Sequence, residues 1–212
     1  MGLEIVAPAD GVVIYAATRG GYGNVVVLDV NGGIGVATAD YVLSGIEHAE
    51  STDAELIVIK IDTPGGLMAP MRDIVQAILG SQVPVATYVT PAGARADSAG
   101  TYILLASHVA AMTPTTHLGA ATPVFQGSDG GTNEDSSDDP ESAAPPGSAM
   151  ERKVLNDAIA YIRGLAERYG RNAEWAERAV RDAATLTAGE ALEQNVIDIL
   201  AKDIPDLLRQ VN

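Results

Sequence analysis

The chain of 212 residues has no cysteine, one tryptophan and one phenylalanine, and aromatic residues make up 4% of it. Without cysteine there is no disulfide, no thiol nucleophile and no thiolate metal ligand. With so few rings, the core must be assembled from Ala, Val, Ile and Leu, which supply most of the 47% apolar content. Basic residues are also scarce: 13 Lys and Arg against 28 Asp and Glu leave a formal charge of −15. That balance opposes nucleic-acid binding by bulk electrostatics and attraction to anionic membranes. It favours solubility and a cationic or apolar partner. No stretch approaches the ~20 apolar residues of a membrane span. No basic-then-apolar leader opens the chain, and no repeat of fixed period runs through it. The three histidines lack metal-ligand spacing, and the acids at Asp135, Asp138, Asp139 and Glu141 lack the fixed Gly and terminal Glu of a calcium loop. No metal and no cofactor are expected.

What is present is an alternation of apolar runs and amphipathic stretches, of a length that suits one well-cored domain. "APADGVVIYA" and "GNVVVLDV" have the pattern of two strands about the loop "ATRGGYG". Residues 1–30 are therefore expected to form an N-terminal β-hairpin extension of a main domain over 31–212. Tyr41, Val42, Ile46 and Ala49 recur at helical spacing, with Thr38 as the N-cap. "ELIVIKID" is an almost continuous apolar run, the pattern of a parallel strand covered on both faces. Leu67 to Leu79 has one apolar face and Gly80 as its stop. "VPVATYV" is the next strand, "GARADSAG" a turn into a helix through about Ala106, and "HVAAM" a short strand. The order predicts an α/β fold with helices packed on a largely parallel sheet. Gln126 to Ala149 interrupts it with six acids and no base, the composition of a flexible acidic loop. A long helix then carries an apolar stripe from Val154 to Tyr169. "RNAEWAERAVRDA" is a helix capped by Asn172, "TAGEALEQN" a short helix, "VIDIL" a strand, and a last helix starts near Ile204.

Two Gly-rich turns fall at carboxyl ends of strands, the edge where ligands bind in parallel sheets. "DTPGG", Asp62 to Gly66, can turn backbone N–H groups into a cleft without side-chain obstruction. Ser98 follows the other turn and opens a helix. Such a serine is commonly an N-cap. At a strand-to-helix turn it can instead be a nucleophile whose following N–H serves an oxyanion. A nucleophile needs a base. Of the histidines, His48 lies on a helix and His108 opens a strand, which leaves His117, on a loop, as the imidazole candidate. Lys60 lies in a strand and Lys202 near the C-terminus. Lys153 opens the long helix, where the helix dipole disfavours an ammonium. A solvated helix start is the competing account of Lys153. The residues alone leave the base open.

Taken together, "DTPGGL", "SQVPVATYVTPAGARADSAGTYILLASHVAAM", "LGAATPV", "MERKVLNDAIAYIRGLAERYGRNAEWAERAV" and "ALEQNVID" resemble the NfeD family. These are membrane-bound serine proteases encoded beside stomatin-like proteins. The resemblance runs from about Asn31 to Leu208. It implies a ClpP/crotonase-like fold of repeated β-β-α units, here preceded by the hairpin. It implies a Ser-Lys dyad, with Ser98 of "SAGTY" as nucleophile and Lys153 as base. By analogy with ClpP-like enzymes, Gly65, Gly66 and Ala99 would supply the oxyanion hole. "GAATP" puts small residues where ClpP has its histidine, which lowers His117 in rank. Two features depart from the family pattern: Asp97 beside the nucleophile, whose carboxylate would keep a nearby Lys153 charged, and the opening hairpin.

The function expected is therefore an endopeptidase with a Ser98–Lys153 dyad and an apolar cleft near Leu67, Met68 and Tyr102. Its substrate would be an apolar peptide, the C-terminal region of a stomatin-like protein. The resemblance further implies a homodimer or larger homo-oligomer. It places this domain on the extracytoplasmic face of a membrane-anchored protein, of which the chain is the soluble excised part. The alternatives are a crotonase-type acyl-CoA enzyme on the same fold and a non-catalytic assembly module.

Overall fold

The structure, a computed structural model, describes residues 13–18, 23–124 and 149–211. The expected acidic loop therefore lies, apart from Ala149, outside the described residues. The sheet is built first from β1 (Val13–Thr18), β2 (Asn24–Asn31), β3 (Leu56–Asp62) and β4 (Val85–Val89). It is completed by β6 (Val109–Met112) and β9 (Ile199–Leu200), in the order β1-β2-β3-β4-β6-β9. Only β1 runs antiparallel, on β2; every other pairing is parallel. The apolar run of β3 has its cause here. It lies between β2 and β4, with Val58 facing one layer of side chains and Ile57, Ile59 and Ile61 the other.

Helices α1 (Val36–Ser51), α2 (Met68–Gly80), α3 (Ala99–Ala106), α4 (Ala149–Arg168) and α5 (Ala173–Arg181) contribute to one core with the β3 isoleucines. Ile46, Ile74, Leu104, Ile162 and Trp175 are all buried in it. Each such side chain contributes about 1.5–3 kcal/mol relative to exposure. On the opposite face, Val58, Tyr88 and Ala111 meet Leu207 and Leu208 of α7 (Ile204–Val211). Asn172 caps α5 as its sequence predicts, its side chain accepting from Trp175 N–H at 2.9 Å.

Several local expectations change. Thr38 is not the N-cap of α1: extended Gly35 is, and the helix starts at Val36. Thr38 instead folds back, its Oγ1 donating to Gly33 O at 3.1 Å. "VIDIL" yields a strand only at Ile199–Leu200, because Asp198 turns its carboxylate to Ala110 N–H and Arg171. His117 is not in a loop. It opens β7 (His117–Gly119), the middle strand of a small sheet between β5 (Arg95–Asp97) and β8 (Thr185–Thr187). Short α6 (Ala188–Glu193) follows β8. A bridge between Thr63 and Ala96 joins the end of β3 to this small sheet. The two Gly-rich turns thereby meet at one edge.

Candidate active site

Ser98 sits between the last residue of β5 and the first of α3, with φ 51° and ψ −115°. A non-glycine residue in that region is strained by about 1–3 kcal/mol and persists only where its surroundings over-determine it. Here they do. Ser98 N–H donates to Gly119 O at 2.9 Å, and Thr101 N–H returns to Ser98 O at 3.0 Å. The buried hydroxyl of Thr101 lies 2.9 Å from Ala96 O and 3.0 Å from Gly119 O, and accepts from Gly119 N–H at 3.1 Å. Position 98 is the N-cap of α3, yet its side chain makes no capping bond. The hydroxyl is left without a hydrogen bond among the described residues. The capping account of this serine does not hold.

Facing it, Gly65 has φ +112°, and a Cβ there would lie 2.6 Å from Ser98 Cβ and 3.0 Å from Ser98 Oγ. Only glycine lets the β3–α2 turn come this close. A Cβ on Gly66 would meet Ile34 O at 2.1 Å. The expectation that both glycines present donors to the cleft is corrected at Gly65. Its N–H is spent on Thr63 Oγ1 at 3.0 Å, and its carbonyl accepts from Ile34 N–H at 2.9 Å. Leu67 N–H is likewise committed to Ile34 O at 2.8 Å. Gly66 N–H and Ala99 N–H have no hydrogen-bond partner among the described residues. They are unspent donors beside Ser98.

Ser98 opens onto a cleft of about 390 Å³, within the range of small-ligand sites. Gly66, Ala99, Leu67, Met68 and Tyr102 line it. Met71 and the segment Ala121–Val124 complete it. Leu67, Met68 and Val124 are exposed apolar side chains on its lip. Tyr102 is buried; its hydroxyl reaches Ala121 O at 3.4 Å, and burial pushes its phenol well above the usual range. Thr63, Thr101 and the 121–124 wall were missed from sequence. Thr63 had a signal, since a threonine two residues before a glycine is placed for a side-chain-to-backbone turn. The 121–124 wall had none.

Lys153 is brought only part of the way. It lies exposed on the first turns of α4, outside the residues that line the cleft, and makes no hydrogen bond or ion pair among the described residues. His117 is turned elsewhere, its Nε2 lying 3.6 Å from Asp97 Oδ2. Among the described residues no group of three or more His, Asp or Glu side chains could hold a metal ion. No helix there is long and apolar enough to cross a membrane.

Asp97 points towards Arg95 and His117, not Lys153. Its Oδ2 is 3.5 Å from Arg95 Nη1, and its Oδ1 is buried with no partner. Burial raises its pKa; His117 and Arg95 pull it down, and Asp62 adds to the rise. The folded chain thus holds this proton to a higher pH than the unfolded chain does. Between the ordinary carboxylate range and the raised value the folded state binds more protons, so stability falls as pH rises through that window. Asp97→Asn is expected to flatten this descent. Thermal melts from pH 4 to pH 7 test it, and parallel profiles for the two proteins would refute it.

Comparison with known proteins places these features. Residues 24–212 match the family model described as NfeD1b, N-terminal domain. The chain is 43% identical over 188 residues to a membrane-bound protease of Pyrococcus horikoshii, covering 89% of this chain and 40% of that protein. It is 30% identical over 124 residues to membrane protein NfeD1b of Bacillus subtilis, covering 58% of this chain and 25% of that protein. The chain thus spans less than half the length of either relative. Among solved structures, it is similar to a serine-to-alanine mutant of a membrane-bound stomatin-specific protease. The TM-score is 0.75 at 40% identity, over 88% of this chain and 84% of that one. A lysine-to-alanine mutant of that protease, in complex with a substrate peptide, gives a TM-score of 0.74 at 41% identity, over 88% and 80%. The fold is ClpP-like, as these structures show.

Proposed function

The chain belongs to the NfeD family, whose N-terminal domain it matches over residues 24–212, and on that footing we propose that it is a serine endopeptidase with a Ser98–Lys153 dyad. The observation that carries this is the strained Ser98, its hydroxyl unengaged in an apolar cleft, beside two unspent backbone donors at Gly66 and Ala99. The serine and lysine mutants of the similar protease support the same pair of residue types.

In this mechanism Lys153, neutral, takes the proton of Ser98 Oγ as the oxygen attacks a peptide carbonyl carbon. The oxyanion is held by Gly66 and Ala99 N–H, while Gly65 contributes by leaving room. Collapse breaks the C–N bond, and the Lys153 ammonium protonates the leaving amine. Water then attacks the acyl-enzyme, giving a proton to Lys153, which passes it to Ser98 Oγ as the ester C–O bond breaks and the acid is released. Catalysis requires Lys153 to reach into the cleft from its exposed position. Leu67, Met68, Met71 and Tyr102 suit aliphatic substrate side chains. The stomatin specificity of the similar protease supports a stomatin-like protein as the substrate, and its C-terminal region is the segment we assign to the cleft. The whole protein would be membrane-anchored and oligomeric, with this domain on the extracytoplasmic face.

A fluorophosphonate serine probe followed by intact-mass measurement tests the dyad. One adduct is expected on the wild type and none on Ser98→Ala or Lys153→Ala. Labelling that survives in Lys153→Ala would remove the lysine from the mechanism.

A further inference from the structure

Lys153 is exposed on the first turns of α4, and its direction depends on how that end of the helix is held. The first fully buried residue of α4 is Ala158; on the turns before it Leu155 packs, partly buried, against the core, while Lys153 stays exposed. A cluster drawn from three helices ties this part of α4 to the cleft wall as well. Arg72 of α2 pairs with Asp157 of α4 at 2.5 Å, and its guanidinium lies 4.5 Å from the ring centroid of Tyr161. Tyr161 in turn stacks on Tyr102 of α3, with centroids 5.9 Å apart. Each member stands one or two helical turns beyond a residue of the proposed site. Arg72 follows Met68 by four residues, and Tyr102 follows Ser98 by four. Asp157 and Tyr161 follow Lys153 by four and eight, on the same face of α4.

We propose that Arg72 is a positioning residue for the base: it ties α4 to the cleft wall and occupies Asp157, so that Asp157 does not capture Lys153. This rests on the Ser98–Lys153 assignment and extends it. Asp157 is the residue best placed to capture Lys153, because an i,i+4 pair on one helix face is within reach. The titratable and charged groups facing Asp157 are Arg72 from α2, Tyr102 from α3 and Tyr161 from α4 itself. Among the described residues Arg72 is the cation shown paired with Asp157. With Arg72 gone, Asp157 turns to Lys153 and holds it in the charged form, which cannot accept the serine proton. The Asp157 side chain is 61% exposed, and an exposed pair contributes little to stability. A role for Arg72 is therefore separable from folding.

The experiment uses the whole chain in the wild-type, Arg72→Met, Arg72→Lys and Arg72→Met/Asp157→Asn forms. It follows hydrolysis of an apolar peptide, the pH profile of fluorophosphonate labelling, and thermal melts. Arg72→Met is expected to lower kcat about tenfold, the scale of a modest misplacement of a catalytic group, with KM unchanged. Its alkaline rise in labelling should move to higher pH. The added Asp157→Asn should return the rise to the wild-type pH, while kcat stays low because the tie to α2 is still missing. Arg72→Lys, which keeps a cation for Asp157 and Tyr161, should retain most of kcat. An Arg72→Met protein with wild-type kcat and an unmoved rise overturns the proposal. So does a kcat loss matched by a lower Tm with the rise unmoved. Failure of the dyad itself looks different: wild-type labelling would then not depend on Lys153.

Discussion

Ser98→Ala is expected to lower turnover of an apolar peptide by about 10⁶, the scale seen when the nucleophile of a serine hydrolase is removed. Nothing else in the cleft should change. The hydroxyl makes no hydrogen bond among the described residues, so its loss strands no partner. Alanine has the same Cβ against Gly65, and the backbone at φ 51° is no more strained for alanine than for serine. The ties from Ser98 N–H to Gly119 and from Thr101 to Ser98 O are main-chain or belong to other residues. Peptide binding should persist, because the lip of Leu67, Met68 and Val124 is untouched. The proposed oxyanion donors stay in place, so the small residual rate should still exceed that in water. The outcome to look for is lost turnover at unchanged Tm and unchanged peptide affinity. Turnover within tenfold of wild type would refute Ser98 as the nucleophile.

Arg171→Ala carries the largest expected cost in stability. The Arg171 side chain is 1% exposed. Its Nη2 bonds Asp198 Oδ2 at 2.6 Å, its Nε bonds Asp198 Oδ1 at 3.2 Å, and its Nη1 donates to Leu105 O at 2.9 Å. Asp198 also accepts from Ala110 N–H at 2.7 Å. One guanidinium thus joins the end of α3, the start of β6 and the C-terminal segment. Removing one partner of a buried pair costs about 3–5 kcal/mol. The lower end applies here, because the Asp198 side chain remains 34% exposed. For a chain of this length about 3 kcal/mol lowers Tm by about 6–12 °C. Arg171→Lys should not recover it, since an ammonium cannot bridge both carboxylate oxygens and Leu105 O together. Calorimetry decides the matter; a Tm within 2 °C of wild type would show that the contact is dispensable.

The parts of the fold legible in the sequence are those that own a long apolar signal. β3, α2 and α5 each declare themselves within one window, and Asn172 marks its helix with a cap. The small sheet does not. Arg95–Asp97, His117–Gly119 and Thr185–Thr187 are three residues each, too short for a period, and their partners lie far off in the chain. That is why His117 was expected in a loop. At the site, the two glycine turns announced their edge, but which N–H remained free depended on Thr63 and Ile34. Lys153 and Asp97 show the same limit. Residue type and neighbours predict what a side chain can do, while its direction is set by tertiary packing: Asp97 turns to Arg95 and His117, and Lys153 stays on an exposed turn.

The small sheet also governs when the cleft can exist during synthesis. The strained elbow at Ser98 is held by Gly119, and Gly119 is held between β5 and β8, with Ala120 N–H bonded to Ala184 O. Residues 98, 119 and 185 must therefore all be available before the elbow closes. A chain synthesised only as far as α5 lacks the β8 strand that pairs with Gly119, and so lacks part of what braces Ser98. The geometry at Ser98 is thus completed late, by a strand far downstream in the sequence.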